Sequence, residues 1–495
     1  MNIRLNERML LNKNRLLNYD NTYKDVYKKD MSMSWPGDFI GRYSLALSSL
    51  YSALDKVSDK EEVLNELKKV VSERRKYVNK HFFMGPLFND SLINEQQLSG
   101  NSWYIRSLVS YYRITGDSEI LDEIKCIIEE LLLKVWPHYS HYPLKDKREI
   151  GDVSGHTSLT PIDGFILSSD IGCAFILLDA YTDVYELTKD SRLKEAIEYI
   201  IDIFMKIDYV SLMCQTHATI TCARSITRFY KLTNDTKYLD YARKIFSDYE
   251  NYGMTLDYEN INWFNKIDSW TEPCCVIDSF ILAHDLYLIT KDNKYLKLFG
   301  RISTNGPRIF ERDNGGAGCA SILYTKDSIL KCHMYEAWFC CSMRFGEGLK
   351  CLSLSRLIEL SKDKYLALYP DKYDKDGISL DIDYYCNKSI KVKSNKDIDL
   401  LIYIPDGFIV KSSNTEYEIK DNLINIKVSK DNEVLIECEL SINKEKDIYF
   451  MGDMLLTRKD IHTDPIVLID GMKYSYVLSS CEYKKEELEK ISQFL

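Results

Sequence analysis

The chain has 495 residues, 45% of them hydrophobic and 28% charged, which suits a packed core spread over two or three domains and excludes a disordered chain. A formal net charge of -10 excludes a nucleic-acid polyanion as the main partner, because that affinity comes from lysines and arginines neutralising phosphates. Only 21 glycines and 10 prolines punctuate the chain, which favours a mostly helical body over an all-β one.

The opening stretch, MNIRLNERMLLNKNRLLNY, has no apolar run ahead of a small-residue cleavage site, and no later run reads as long and apolar enough to span a bilayer. A cytoplasmic chain without membrane contact is expected, with its 14 cysteines mostly reduced and buried. Residues 1–30 read as a segment packing on the other domains. The 36 tyrosines, 18 phenylalanines and 6 tryptophans suit core filling first, and stacking on sugar faces second.

From residue 31 a repeat takes over. SYYRITGD ending at Asp117, DVYELTKD at Asp190, RFYKLTND at Asp235 and DLYLITKD at Asp292 share one signature, and ALDKVSD at Asp59 is a weaker copy. A helical pattern follows each aspartate, as in Tyr238, Tyr241, Ala242, Ile245 and Tyr249. The aspartate is a natural N-cap, since its carboxylate accepts from the free amides of a first helical turn. Each unit therefore reads as helix, turn, capped helix. The interval between Thr115 and Thr188 is longer and contains an inserted loop, Trp136 to Leu167, rich in His, Pro, Gly and Asp. A period of about 50 residues yields about six hairpins over residues 31–358, which can close into a double ring of inner and outer helices. An open solenoid is the alternative.

After about residue 360 the period becomes two. Ile398, Leu400, Ile402 and Ile404 alternate with other residues, as do Ile424, Ile426 and Val428, and then Val434, Ile436, Cys438, Leu440 and Ile442. Residues 359–495 are expected to form a β-sandwich domain closing with a short polar helix from about Lys484.

The repeat is also a ruler. His217 and Cys274 stand at one common offset before Thr233 and Thr290, and Asp170 and Glu272 at another before Thr188 and Thr290. In a closed ring these four converge on one mouth. Glu272 and Cys274, with Cys340 and Cys341 from Trp338-Phe-Cys-Cys, would make a four-coordinate site of one carboxylate and three thiolates, a donor set that suits Zn2+. Cys275 and Cys332 compete as ligands, and buried structural thiols are the plainer reading. A metal keeps a thiol ionised, and a thiolate can attack an anomeric carbon when a proton donor assists the leaving oxygen. Glu259 is the preferred donor, with Asp257 its competitor. His217, Asp170 and, in the inserted loop, His156 are candidates for sugar contact. Asp38, in Trp35-Pro-Gly-Asp, is roughly in phase with the repeat but reads equally as a helix cap.

At these residues the chain resembles the β-L-arabinofuranosidase family of zinc-cysteine glycoside hydrolases, glycoside hydrolase family 127 and its uncharacterised relatives. The likeness includes Leu5-Asn-Glu-Arg, Leu11-Asn-Lys-Asn-Arg-Leu-Leu, Trp35-Pro-Gly, the repeated hairpins, the paired cysteines after Trp338-Phe339, and Leu401-Ile-Tyr-Ile-Pro. It implies an (α/α)6 barrel with a β-sandwich, zinc on Glu272, Cys274, Cys340 and Cys341, Cys340 as nucleophile, Glu259 as acid/base and His217 against the sugar. It also implies a retaining exo-hydrolase acting on an oligosaccharide or glycoside, with L-arabinofuranose or a related terminal sugar as product. The chain departs from the family pattern where Ser342-Met-Arg replaces prolines after the cysteine pair, and where Asn101 or Ser102 and Asp170 stand in place of histidines. The spacing from Glu259 to Glu272 is also shorter. A carbohydrate-binding barrel with a structural zinc, and a lyase or epimerase on the same barrel, are the competing expectations. Homodimerisation is left open.

Overall fold

In the computed structural model, the described residues are 4–17, 26–32, 35–143, 161–267, 269–324, 329–445 and 448–456, with strands at 467–469, 472–474 and 476–479. One local device makes each Thr-x-Asp junction. The hydroxyls of Thr115, Thr188, Thr233 and Thr290 donate to the carbonyl four residues back at 2.7–2.9 Å and accept the aspartate amide at 3.2–3.4 Å. The residue between them takes the left-handed conformation that ends a helix, φ 68° at Gly116 and 55–58° at Lys189, Asn234 and Lys291. Asp117, Asp190, Asp235 and Asp292 then cap the next helix, each accepting an amide at 2.9–3.0 Å. Asp59 does not follow the rule. It falls inside helix Val57–Glu73, and its carboxylate takes Lys13 Nζ at 2.7 Å instead.

These junctions build a double ring. Asp38–Ala53, Glu95–Thr115, Leu177–Thr188, Thr216–Thr233, Pro273–Thr290 and Cys341–Ser355 form the inner circle, each packed on the next, and Cys341–Ser355 closes it against Asp38–Ala53. Val57–Glu73, Ser118–Ile127, Ser191–Phe204, Thr236–Tyr252 and Asn293–Phe310 back the first five from outside. The sixth outer place is taken by the N-terminal helix Leu5–Leu17, which packs on Cys341–Ser355. Leu5, Met9 and Leu16 are buried there. The same helix binds Glu311 through Arg8 Nε at 2.9 Å, and Arg4 just before it reaches Asp381 at 2.9 Å. Among the described residues the barrel thus has five sequential hairpins and a sixth pair joined across the whole domain.

Pro273–Thr290 is long and apolar enough to cross a membrane by length and composition, yet 67% of it is buried inside the protein. An inner helix flanked on both sides needs apolar residues all round, so its pattern imitates a membrane span. Two glycines set the tightest crossing, where Gly41 faces the backbone of Trp103 and Gly100 faces that of Pro36, at 2.2–2.3 Å from an imagined Cβ.

Between Asn293–Phe310 and Cys341–Ser355 the chain inserts a β-hairpin, Gly318–Tyr324 with Ile329–Glu336, a strand pair that the helical period did not foretell. Strand Tyr476–Ser479 returns to pair with it, so part of the C-terminal region is built onto the barrel.

From Ile358 onward two five-stranded sheets face each other. One runs Tyr417–Lys420, Leu423–Val428, Ile398–Tyr403, Lys364–Ala367, Ile358–Ser361, and the other Phe408–Ser413, Glu433–Leu440, Ser389–Ser394, Ile378–Asp383, Lys372–Lys375. Ile398, Leu400, Ile402, Ile424, Ile426, Val428, Val434, Ile436 and Cys438 fill the space between them, as the alternation required. The fold is an (α/α)6 barrel followed by a β-sandwich. The polar helix expected from Lys484 lies outside the described residues.

Candidate metal centre

Two inner helices start side by side. Glu272 is the extended residue ahead of Pro273–Thr290, and Pro273 occupies the first helical position, where a missing N–H costs nothing. Cys340 holds the same place ahead of Cys341–Ser355. Neighbouring helix N-termini thereby bring Glu272 and Cys274 to Cys340 and Cys341. One donor atom from each lies within 4.8 Å of the others. The sulfur of Cys341 is 3.4 Å from those of both Cys274 and Cys340. Sulfurs sharing one tetrahedral ion at about 2.3 Å would stand about 3.8 Å apart, so small side-chain adjustments fit the set to zinc. The chemistry of the donors agrees, being soft thiolates with one carboxylate.

Without a cation these thiols are costly to ionise. Burial pushes Cys274 and Cys341 well above the ordinary thiol range. Cys340 is favoured by its contact with Cys274 but raised by Cys341 and by burial, and ends well above that range too. Two of the three are sealed, with Cys274 and Cys341 at 0% exposure, whereas Cys340 is partly open.

The surroundings hold Glu272 from three sides. His217 Nδ1 lies 3.2 Å from Oε1, Gln215 Nε2 donates to Oε2 at 3.2 Å, and the Glu272 amide donates to Asn260 Oδ1 at 2.7 Å. Burial would raise the Glu272 carboxyl, but His217 outweighs it and holds the group below its ordinary value. His217 does not face open solvent. It is 1% exposed, stacked on Trp103 at 6.0 Å, with Nε2 3.4 Å from Asp278. Its environment is therefore two carboxylates and an indole. Burial lowers its pKa, yet Glu272 and Asp278 together carry it above the ordinary imidazole value. Asp278 in turn accepts from Arg224, Arg344 and Thr221, and ion pairs among Arg344, Glu347, Arg106 and Asp179 continue between the inner helices.

Glu259 sits in a tight loop beside this centre. Its amide donates to Thr255 Oγ1 at 3.0 Å, its carbonyl accepts the Thr255 amide at 2.8 Å, and Tyr258 adopts φ 65°. The next residue, Asn260, carries the bond to Glu272, which ties the loop to the donor cluster. Asp257 is equally buried, but its Oδ1 takes the Thr255 hydroxyl at 2.5 Å.

The other sequence candidates fall in several places. Asp170 precedes the short turn Cys173–Ile176, and its neighbour Ile171 accepts the Gln215 amide, so its segment adjoins the one bearing His217. Asn101 clamps Met84 through its amide and carbonyl groups, and Ser102 donates to the Ile176 carbonyl at 2.7 Å. Both hold backbone. Cys275 is directed into the core toward Tyr249 and Thr216, away from the cluster. Cys332 lies on strand Ile329–Glu336, but its side chain, like the whole of His156, is outside the described residues. Asp38 is the first residue of its helix and grips Arg42 Nε with both oxygens at 2.9–3.0 Å.

Two residues escaped sequence reasoning. Arg42 Nη1 lies 3.6 Å from the Cys274 sulfur, and only its spacing four residues after Asp38 signals a partnership. Cys319, buried at 3%, contacts Cys341 from the inserted hairpin, and no motif marks it.

No protein-family model matches the chain, and no curated protein does. Solved structures do match. A GH127 β-L-arabinofuranosidase from Geobacillus stearothermophilus T6 superimposes with TM-score 0.56 at 11% identity, over 91% of this chain and 80% of the other. A GH127 β-arabinofuranosidase gives 0.59 at 13%, over 98% and 87%, and a protein described as a glycoside hydrolase 0.61 at 12%, over 92% and 81%. At such identities the likeness establishes the barrel-and-sandwich fold.

Proposed function

We propose that the chain is a retaining exo-glycoside hydrolase with Cys340 as nucleophile and Glu259 as acid/base, working in the cytoplasm. The observation that carries this reading is the convergence of Glu272, Cys274, Cys340 and Cys341 within 4.8 Å, with Cys340 the one thiol of the three that is not sealed from the mouth. The structural neighbours support a terminal L-arabinofuranose or related sugar on an oligosaccharide or glycoside as substrate.

A zinc ion bound there supplies the positive charge that keeps buried thiols ionised at neutral pH. Cys340 Sγ donates an electron pair to the anomeric carbon as the bond to the leaving oxygen breaks. Glu259 gives that oxygen its proton, so the aglycone departs as an alcohol. The Glu259 carboxylate then takes a proton from water, whose oxygen displaces the Cys340 sulfur and restores the thiolate. Two inversions at one carbon amount to retention. Glu272 and Cys274 stay fixed throughout, the first held by His217, Gln215 and Asn260.

The test is zinc content together with turnover of aryl β-L-arabinofuranosides and related glycosides by wild type, Cys340→Ser and Glu259→Gln. Near one zinc per chain is expected, with sugar release by wild type alone. Full zinc loading without turnover on a broad panel would leave a binding protein. An unsaturated or epimerised product would mark a lyase or epimerase.

A further inference from the structure

Four anionic ligands around a divalent cation leave the cluster with surplus negative charge, and this cluster is buried. A buried surplus needs a counter-charge close by. Arg42 is placed to supply it. Its Nη1 is 3.6 Å from Cys274 Sγ, the guanidinium lies 4.0 Å from the centroid of Trp103, and the residue is 6% exposed. Asp38 holds the Nε side of the fork, so the end that remains points at the sulfur. Trp103 also stacks on His217, so one indole braces the residues behind both Cys274 and Glu272.

Resting on the metal reading above, we propose that Arg42 is a positioning residue that compensates the charge of the ligand set through Cys274. An N–H donated to a thiolate sulfur withdraws electron density from it. Arg42 stabilises charge on Cys340 as well, but its hydrogen bond goes to Cys274, which is thereby the masked sulfur and remains a ligand, while the partly open Cys340 keeps its nucleophilicity. The geometry separates the roles of chemically identical side chains.

The full chain is tested by competition for zinc against a chromophoric chelator at one fixed pH. Arg42→Met is expected to bind about 10- to 100-fold more weakly, the range typical when a residue supporting a ligand is lost. Arg42→Lys should fall between, because an ammonium keeps the charge but cannot span Asp38 and the sulfur together. Asp38→Asn should bind zinc no more weakly than wild type, since it removes a competing negative charge. A merely architectural Arg42 would make Asp38→Asn and Arg42→Met lose affinity alike, and that result overturns the proposal. So does wild-type affinity in Arg42→Met, or a wild-type chain that takes up no zinc. Should Arg42→Met fail to fold, Arg42→Lys and Asp38→Asn decide alone, and equal or reversed affinities sink the idea. Zinc-loaded wild type without glycoside turnover would refute the enzymatic reading while leaving this affinity series standing.

Discussion

His217 Nδ1 stands 3.2 Å from Glu272 Oε1 while Nε2 stands 3.4 Å from Asp278 Oδ2, so one imidazole joins the candidate donor cluster to the ion pairs between the inner helices. The ring is a brace between two carboxylates, one of them a donor.

From that brace comes the first prediction. His217→Gln, which fills the space but cannot serve both carboxylates with the same geometry, should lower zinc affinity about 10- to 100-fold. Chelator competition measures it. Unchanged affinity with altered sugar binding would return His217 to the sugar.

Metal removal should destabilise the whole chain, because the donors come from stretches far apart in sequence. Zinc at about a thousandfold excess over its Kd should add about 4 kcal/mol to the folded state. Thermal melting with and without a chelator should show a rise of several degrees for wild type and little for Cys274→Ala. Equal shifts in both chains would place the metal elsewhere.

Asp453 carries a pH prediction. Burial, against the pull of Tyr403 and Arg301, raises its carboxyl from 3.8 to about 7. Tyr403 donates to it at 2.9 Å. The folded state therefore holds a proton that the unfolded chain has released. Stability from this group is complete below about pH 4, and falls by roughly 1.4 kcal/mol per unit as pH rises to about 7, levelling off above. Asp453→Asn cannot ionise, so its stability relative to wild type should climb across that window. Denaturant titrations at several pH values test this, and parallel curves would contradict it.

Gly41 is the crossing point beside Arg42. A Cβ there would come within 2.3 Å of the Trp103 backbone, which no rotamer change relieves. Gly41→Ala should cost about 1–3 kcal/mol by overpacking, and should also weaken zinc binding by displacing Arg42 from Cys274. Urea unfolding and chelator competition read the two effects separately. An alanine tolerated in both would mean the helices separate without consequence.

Much of this molecule was legible in one dimension because its rules are local. Thr-x-Asp encodes a helix end, a left-handed residue and a cap within four residues, so the hairpins could be read directly. Alternation in 398–404, 424–428 and 434–442 pointed to a buried strand face for the same reason, although the last run breaks after half-buried Leu440, with Ile442 half-buried on a strand of another sheet. Phase placed Glu272 and Cys274 at one rim, since repeated hairpins put equal offsets there, while Cys340 and Cys341 were joined to them by donor chemistry and by the family resemblance, and the four do meet. Asp59 failed that logic because its helix begins earlier, which puts the carboxylate inside the first turn.

Only the tertiary structure decided what surrounds those donors. That Leu5–Leu17 completes the outer ring and that Arg42 points at Cys274 are contacts between residues hundreds of positions apart, and that a hairpin from Gly318 to Glu336 brings Cys319 to Cys341 is a contact no repeat announces. Periodicity carries no information about such pairs, because the charge and burial that govern them exist only once the ring has closed. The candidate donor set was legible in the sequence, and the side chains arranged around it belong to the fold.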